Sequence, residues 1–341
     1  MLSLNKRGGA LVGGVIALVL FVSAGLFSTV KADQLVLYSG RSKALVQPVL
    51  RKFADETGIE VQVKYGKTAQ LAVALQEEGE HSPADVFWSQ DAGALGALVS
   101  AGMFTSLEQQ TLELVPAEYR GADGRWVATS GRARVLAYSS VRVQKADIPA
   151  SVFDLTDPRF KGRVGWAPTN ASFQGFVTAM RKAHGQDTAR RWLEAMIENE
   201  AASYPKNTAI LQGIAAGEVD FGLSNHYYLL RFKAQDEAYP VAQTFFEPGD
   251  VGNLVNVAGV GVLKTCKHPD AAQAFVAYLL SETSQAYFVH ETFEYPVIEG
   301  LTSGAKIGPV QSLQEQVPAV DLGTLEDLQG TLDLLAEVGL R

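Results

Sequence analysis

The chain is predicted to fold as an α/β protein in two lobes, with a ligand cleft between them. Three observations predict this. Leu35–Val36–Leu37–Tyr38 is an apolar run with no polar alternation, followed by a helical pattern and then by the alternating run Ile59–Glu60–Val61–Gln62–Val63. That order is a β-α-β unit, and the unalternating first strand is the kind buried on both faces of a parallel sheet. The 341 residues exceed one typical small domain, so two is the natural division. Polar side chains also cluster at predicted strand ends in both halves, and two facing lobes would bring such ends to one cleft.

Taken in order, the chain opens with a targeting pattern. Lys6 and Arg7 form a short positive segment, Gly8 to Phe27 is apolar and small, and Val30–Lys31–Ala32 matches a small-x-Ala cleavage site. Residues 1–32 are therefore expected to be a signal peptide cleaved near Ala32. The apolar run is long enough to span a bilayer, so an uncleaved anchor is the alternative. No cysteine lies there, which excludes a lipoprotein. Removing this segment takes away three positive side chains and no negative one, carrying the net charge from −8 to −11.

After the first strand, Ser39–Gly40–Arg41–Ser42 leads into a helix with Leu45, Val49, Leu50 and Phe53 on one face and Gly58 at its end. Loops at the carboxyl ends of strands are where open α/β sheets bind ligands. Ser39 or Ser42 has the chemistry of a helix cap. Arg41 does not, because a cation opposes the dipole at a helix N-terminus. A second helix covers Thr68–Glu78. Ala84 to Gln90 reads as a strand with a polar end, and Ala92–Ala101 as a helix. Trp126–Val127–Ala128 and Arg134 to Tyr138 read as two strands joined through Ser130–Gly131–Arg132, a candidate crossover between lobes.

The second half begins with the turn-rich Phe153–Asp154–Leu155–Thr156–Asp157–Pro158. Arg163 to Trp166 is a strand, and Asn170–Ala171–Ser172 precedes a helix from Phe173. Free backbone N–H groups at such a helix start favour an anion, although capping by Thr169 or Asn170 predicts the same residues. Helices are expected at Thr188–Ile197 and Thr208–Ala216. Phe221 to Leu230, containing Asn225–His226–Tyr227–Tyr228, reads as a strand. Asn253–Leu263 is a strand returning to the first lobe, followed by helices at Pro269–Leu280, Glu282–Val289 and Leu325–Val338, the last with Thr324 as its cap.

Composition excludes several functions. Net charge is −8 and the Lys and Arg residues form no cluster, so nucleic acid is not a partner. No nucleophile elbow, Walker loop, H-E-x-x-H or paired-cysteine motif is present, and the chain is not expected to be an enzyme. His81, His184, His226, His268 and His290 are scattered, which disfavours a zinc site. The single cysteine, Cys266, follows an apolar run and reads as inert packing. An exported solute receptor is favoured; an exported α/β hydrolase is the alternative. Two adjacent tyrosines on a regular strand would point to opposite faces. For Tyr227 and Tyr228 to serve one site, the strand must end or bend there; otherwise the pair is ordinary aromatic packing.

Five segments together carry a resemblance: Tyr38–Ser39–Gly40–Arg41–Ser42–Lys43, Ala84–Asp85–Val86–Phe87, Ser130–Gly131–Arg132–Ala133–Arg134, Gly165–Trp166–Ala167–Pro168–Thr169–Asn170 and Asn225–His226–Tyr227–Tyr228. In family order and over essentially the whole mature chain, they resemble the periplasmic ferric-iron-binding proteins of ABC iron importers, transferrin-like in ligand chemistry. The resemblance implies the type II periplasmic binding protein fold, two α/β lobes joined by crossing strands. Lobe 1 is expected at 33–132 plus 256–308, and lobe 2 at 133–255 plus 309–341. It also implies a monomeric periplasmic receptor that passes iron to a permease of the inner membrane. Tyr227 and Tyr228 are implied as ferric ligands, consistent with the affinity of a hard cation for phenolate oxygen.

Some members of that family add a histidine and a glutamate, at positions that here read Ser42 and Gln90, and others a third tyrosine, where this chain has Asn170–Ala171–Ser172. A synergistic anion, carbonate or phosphate, is therefore expected to complete the iron shell. By resemblance its partners are Asn170, Ala171, Ser172, Asn207 and Asn225. Arg41 is the favoured countercharge, with Arg132 and Arg134 as further candidates; each arginine serves equally as a salt-bridge partner. Gln90 is expected to bond a neighbouring group rather than iron. The same fold taking another anion or small solute without iron is the remaining alternative.

Overall fold

The computed structural model describes residues 34–301, 316–318, 320, 322, 325 and 327–340. The expected signal segment and the expected cap Thr324 lie outside the described residues.

The first β-α-β unit is formed by β1 (Gln34–Ser39), α1 (Lys43–Thr57) and β2 (Glu60–Tyr65), with β1 and β2 parallel from Gln34↔Glu60 to Ser39↔Tyr65. Helix α1 buries Val46, Val49, Leu50 and Phe53, one face at helical spacing. It stops where Gly58, at φ 73°, turns its N–H back to the Ala54 carbonyl, a left-handed cap that a glycine adopts without a Cβ penalty. Then come α2 (Thr68–Glu78), β3 (Val86–Ser89), α3 (Ala92–Ser100) and the short α4 (Gln109–Leu112). The Asp91 side chain caps α3 by accepting from the Ala94 N–H.

The stretch expected as two strands is one, β4 (Val127–Ser139). Ser130–Gly131–Arg132 continues the strand instead of turning, because each of the three pairs with a neighbour; only a register shift between Ala128 and Ser130 marks the irregularity. The second half adds β5 (Val164–Trp166), α5 (Ala171–His184), α6 (Gln186–Glu198), β6 (Ala202–Ser203), α7 (Asn207–Ala216), β7 (Phe221–Asn225) and α8 (His226–Gln235). Then follow β8 (Val241–Thr244), β9 (Val255–Val262), α9 (Pro269–Leu279) and α10 (Glu282–Tyr287), which runs into a π-helical turn at Phe288–Thr292. The last helix, α11 (Leu328–Glu337), starts later than expected and is capped by Asp327, whose carboxylate accepts the Gly330 N–H.

These strands form a sheet in the order β2-β1-β3-β9-β4-β7-β5-β6, with β8 also on β4. Strand β4 holds its two halves together. Val127 to Ala133 pair antiparallel with β9, whereas Arg134 to Tyr138 pair with β7 and Leu136 to Ser139 with β8. The change of partner between Ala133 and Arg134 sets the two arginines of this segment at the junction. Beside it, Gly131 exchanges both backbone hydrogen bonds with Tyr295 at 2.8 Å. A Cβ at Gly131 would stand 3.3 Å from the Tyr295 Cβ, tighter than side chains ordinarily pack, so glycine eases the close approach.

Candidate anion and metal site at the β4 junction

Tyr227 and Tyr228 do not lie on a strand. Strand β7 ends at Asn225, and the tyrosines occupy the first turn of α8. On a helix neighbouring residues diverge by about 100° rather than about 180°, so both phenols reach the same side. Their ring centroids are 4.3 Å apart at an interplanar angle of 41°. Tyr227 is buried and Tyr228 half-buried.

Several polar groups converge on the pair. The Asn225 amide donates to the Tyr227 oxygen at 3.4 Å and its carbonyl accepts from Arg134 at 3.1 Å. Arg134 also donates to the Ser172 hydroxyl at 3.2 Å. Asn170 caps α5, accepting from the Ser172 N–H at 3.0 Å and from its hydroxyl at 2.7 Å. Asn207 donates to Ser172 at 3.1 Å and reaches the Tyr228 phenol, while its own Oδ1 is buried without a partner. Ala171 opens α5 beside them. Thus Asn170, Ala171, Ser172, Asn207, Asn225, Arg134 and both tyrosines form one group, drawn from β4, α5, α7 and the β7–α8 corner.

The electrostatics are those of a buried site biased towards anions. Burial lowers the Arg134 guanidinium to about 10, offset in part by the two nearby phenols, and it stays charged at neutral pH. Burial, then the neighbouring Tyr227, raise the Tyr228 phenol well above the ordinary tyrosine range, while Asn207 and Arg231 oppose the rise. Arg231 lies over the Tyr227 ring at 4.9 Å. Among the described residues no group of three or more His, Cys, Asp or Glu side chains gathers.

Arg41, expected as the favoured anion partner, is placed elsewhere. Its guanidinium meets Glu294 twice, at 3.0 and 3.2 Å, fully buried between the rings of Trp88 and Phe288. A buried cation is stabilised only by a close counter-charge, and Glu294 supplies it. Burial would raise the Glu294 carboxyl, but Arg41, then Arg132 and the Ser130 hydroxyl, hold it below the usual carboxylate range. Ser42 is exposed at the start of α1 and makes no side-chain cap. Gln90 contributes its backbone, its carbonyl accepting from Arg132.

Two participants were not singled out from sequence. Glu294 is distant in the chain from Arg41, and its only signal was a lone acid between aromatic residues. His226, one of the scattered histidines, is buried at the junction. Its Nδ1 accepts the Ala133 N–H at 3.1 Å, and its Nε2–H donates to the Phe293 carbonyl at 2.8 Å. Burial drives its pKa down to about 4, so the ring is neutral. Cys266 is free, and burial pushes its thiol up to about 11, consistent with inert packing.

Comparison with known proteins agrees with this architecture. Residues 81–319 match the family model for bacterial extracellular solute-binding proteins. The chain is 33% identical over 313 residues to the Fe(3+)-binding periplasmic protein of Serratia marcescens, covering 91% of each. It is 33% identical over 331 residues to the major ferric iron-binding protein of Neisseria meningitidis serogroup B, covering 94% of this chain and 98% of that one. Among solved structures, iron-bound HitA from Pseudomonas aeruginosa superposes with a TM-score of 0.82 at 36% identity, over 90% of this chain and 100% of that one. The two-lobed fold of the periplasmic binding proteins is the fold of this chain. The chain belongs to the bacterial extracellular solute-binding protein family, in the group of the periplasmic ferric-iron-binding proteins.

Proposed function

We propose that this protein is a periplasmic receptor that captures ferric iron and passes it to an ABC permease of the inner membrane. In this reading the phenolates of Tyr227 and Tyr228 bind the metal. A synergistic anion, carbonate or phosphate, completes the shell against Arg134, Ala171, Ser172, Asn207 and Asn225, with Asn170 holding Ser172 in place. The observation that carries it is the pairing of two phenols in one helical turn directly beside a buried arginine whose hydrogen-bond partners are all neutral. Ferric iron is a hard cation and phenolate a hard anionic donor. The positive charge of Arg134 lowers the cost of holding an anion next to the metal. Arg41 and Glu294 take no part in this shell and instead tie the first loop to the junction.

In the same reading the lobe boundary falls where β4 changes partner between Ala133 and Arg134, one residue from the division expected at 132/133, and the signal segment is cleaved near Ala32. The family is one of solute-binding proteins rather than enzymes, which sets the exported hydrolase aside. The test is a visible titration of the apoprotein with ferric iron in phosphate or carbonate buffer. A phenolate-to-iron charge-transfer band saturating at one iron per chain is expected. A colourless protein that still binds phosphate would favour the same fold taking an anion without iron.

A further inference from the structure

Helix α8 carries a cation on the face of its two tyrosines. Arg231 stands four residues after Tyr227 and three after Tyr228, the spacings at which helix side chains are neighbours. Long side chains on a helix lean back over the preceding turn. The Arg231 guanidinium accordingly lies over both rings, 4.9 Å from the Tyr227 centroid and 6.0 Å from that of Tyr228. It is half-buried, and its one hydrogen bond among the described residues goes to a neutral group, the Thr292 carbonyl at 3.3 Å.

That anchor is itself held in place. The π-helical turn stops where Phe293 adopts a left-handed φ of 58°, a conformation that is costly for a bulky side chain. Carbonyls at the end of a helical turn lack partners along the chain, and α8 supplies them. Arg231 donates to Thr292, and the His226 Nε2–H donates to Phe293 at 2.8 Å. The next two residues fasten the same segment to the first loop and to β4. Glu294 accepts from Arg41 and Ser130, and Tyr295 exchanges backbone hydrogen bonds with Gly131. Arg231 and His226 thus bracket the tyrosine pair, both tied to a segment that the junction fixes.

Capping the Thr292 carbonyl needs an N–H donor but no charge; the place over two phenol rings is where the charge acts. A neutral phenol attracts a cation only through the quadrupole of its ring. Once the phenols are ligands, ferric iron, two phenolates and a dianionic carbonate or hydrogen phosphate sum to one negative charge. Arg231 then stands beside an anion, and two opposite charges about 5 Å apart attract appreciably away from bulk water. An interaction that is stronger in the loaded site than in the empty one adds to affinity, whereas an equal one does not.

We propose that Arg231 is a positioning residue of the ferric site: anchored on the Thr292 carbonyl, it holds its charge over the tyrosine rings and stabilises them as ligands. The inference rests on the reading of Tyr227 and Tyr228 as ferric ligands, and it adds a charge on the phenol side to that of Arg134 on the anion side.

Two variants separate charge from capping. Arg231→Gln keeps an N–H donor and removes the charge, whereas Arg231→Lys keeps the charge. Both are titrated with ferric iron in carbonate or phosphate buffer, with circular dichroism verifying the fold. Affinity is read by competition against a chelator, and the charge-transfer band by its wavelength. Arg231→Gln is expected to bind ferric iron roughly tenfold more weakly. Its band is expected at longer wavelength than that of wild type, because a cation over a phenolate ring lowers the energy of the electrons that the band transfers to iron. Arg231→Lys is expected to recover most of the affinity and to move the band back. Wild-type affinity and band position in Arg231→Gln overturn the proposal and leave the iron reading standing. So does a weakened Arg231→Gln with an unshifted band, or an Arg231→Lys that behaves as Arg231→Gln, since lost packing or capping alone gives those results. Absence of the band in wild-type protein overturns this inference and the iron reading together.

Discussion

Adjacent phenols share a site here because a helix begins between Asn225 and Tyr227, and the consequence is a pH dependence. A free phenol holds its proton to about pH 10, and burial raises Tyr228 further. Each phenol that becomes a ligand must release its proton, so capture strengthens as pH rises and weakens as it falls. With both as ligands, the logarithm of the apparent ferric affinity should climb by about two per pH unit between pH 6 and 8, after correction for hydrolysis of the free metal. Competition against a chelator of known affinity measures this, and a slope near zero contradicts phenolate ligation. Arg41 acts on stability instead. Replacing it with leucine strands Glu294 and should cost about 3–5 kcal/mol in denaturant unfolding, with iron affinity of the folded fraction unchanged. His226 acts in the same way through protons. Its folded pKa of about 4 lies below the unfolded value near 6.5, so the unfolded chain binds a proton first on acidification. Stability is therefore lost as pH falls from about 6.5 to about 4, by about 3 kcal/mol. Melting curves of His226→Gln should show a flatter pH dependence over that window than wild type.

At the scale of elements, the β7–α8 corner carries the proposed ligands, and its packing is tight. A Cβ at Gly222 on β7 would come 2.2 Å from the Ile210 Cγ2 of α7. Gly222→Ala should destabilise by about 2 kcal/mol through overpacking and lower the melting temperature while the cleft residues stay intact. This corner also shows what a single sequence conceals. Phe221 to Leu230 is mostly apolar and aromatic, and a short buried run does not distinguish strand from helix by periodicity. A helix-start residue is present in Asn225, but it does not act as a cap. Asn225 occupies the cap position without a side-chain cap bond, because its amide is taken by Tyr227 and its carbonyl by Arg134. Elsewhere the local chemistry was readable: Thr68–Glu78 has the expected bounds, and Gly58 ends α1 in the left-handed conformation. The Ser130–Gly131–Arg132 stretch resembled a turn because glycine and small polar residues mark turns. In β4 that glycine instead admits the Tyr295 backbone.

At the scale of the molecule, β4 is shared between two halves of one sheet, and it positions Arg132 and Arg134 where those halves meet. The α/β order and the convergence of strand ends could be read along the chain because each rests on neighbours in sequence. The partner of Arg41 could not, since Glu294 lies 253 residues away and pairing of buried charges is decided only by the finished packing. The same holds for the division of labour among three arginines: Arg41, the favoured countercharge from its sequence, is paired with Glu294, and Arg134 is the one beside Asn225. The central claim is that the tyrosine pair is the iron site, and ferric titration of the variant carrying both Tyr227→Phe and Tyr228→Phe tests it most directly, with phosphate present and folding verified. The account predicts no visible charge-transfer band and no stoichiometric iron, with the fold retained. A folded double variant that still binds one ferric ion at wild-type affinity would contradict it.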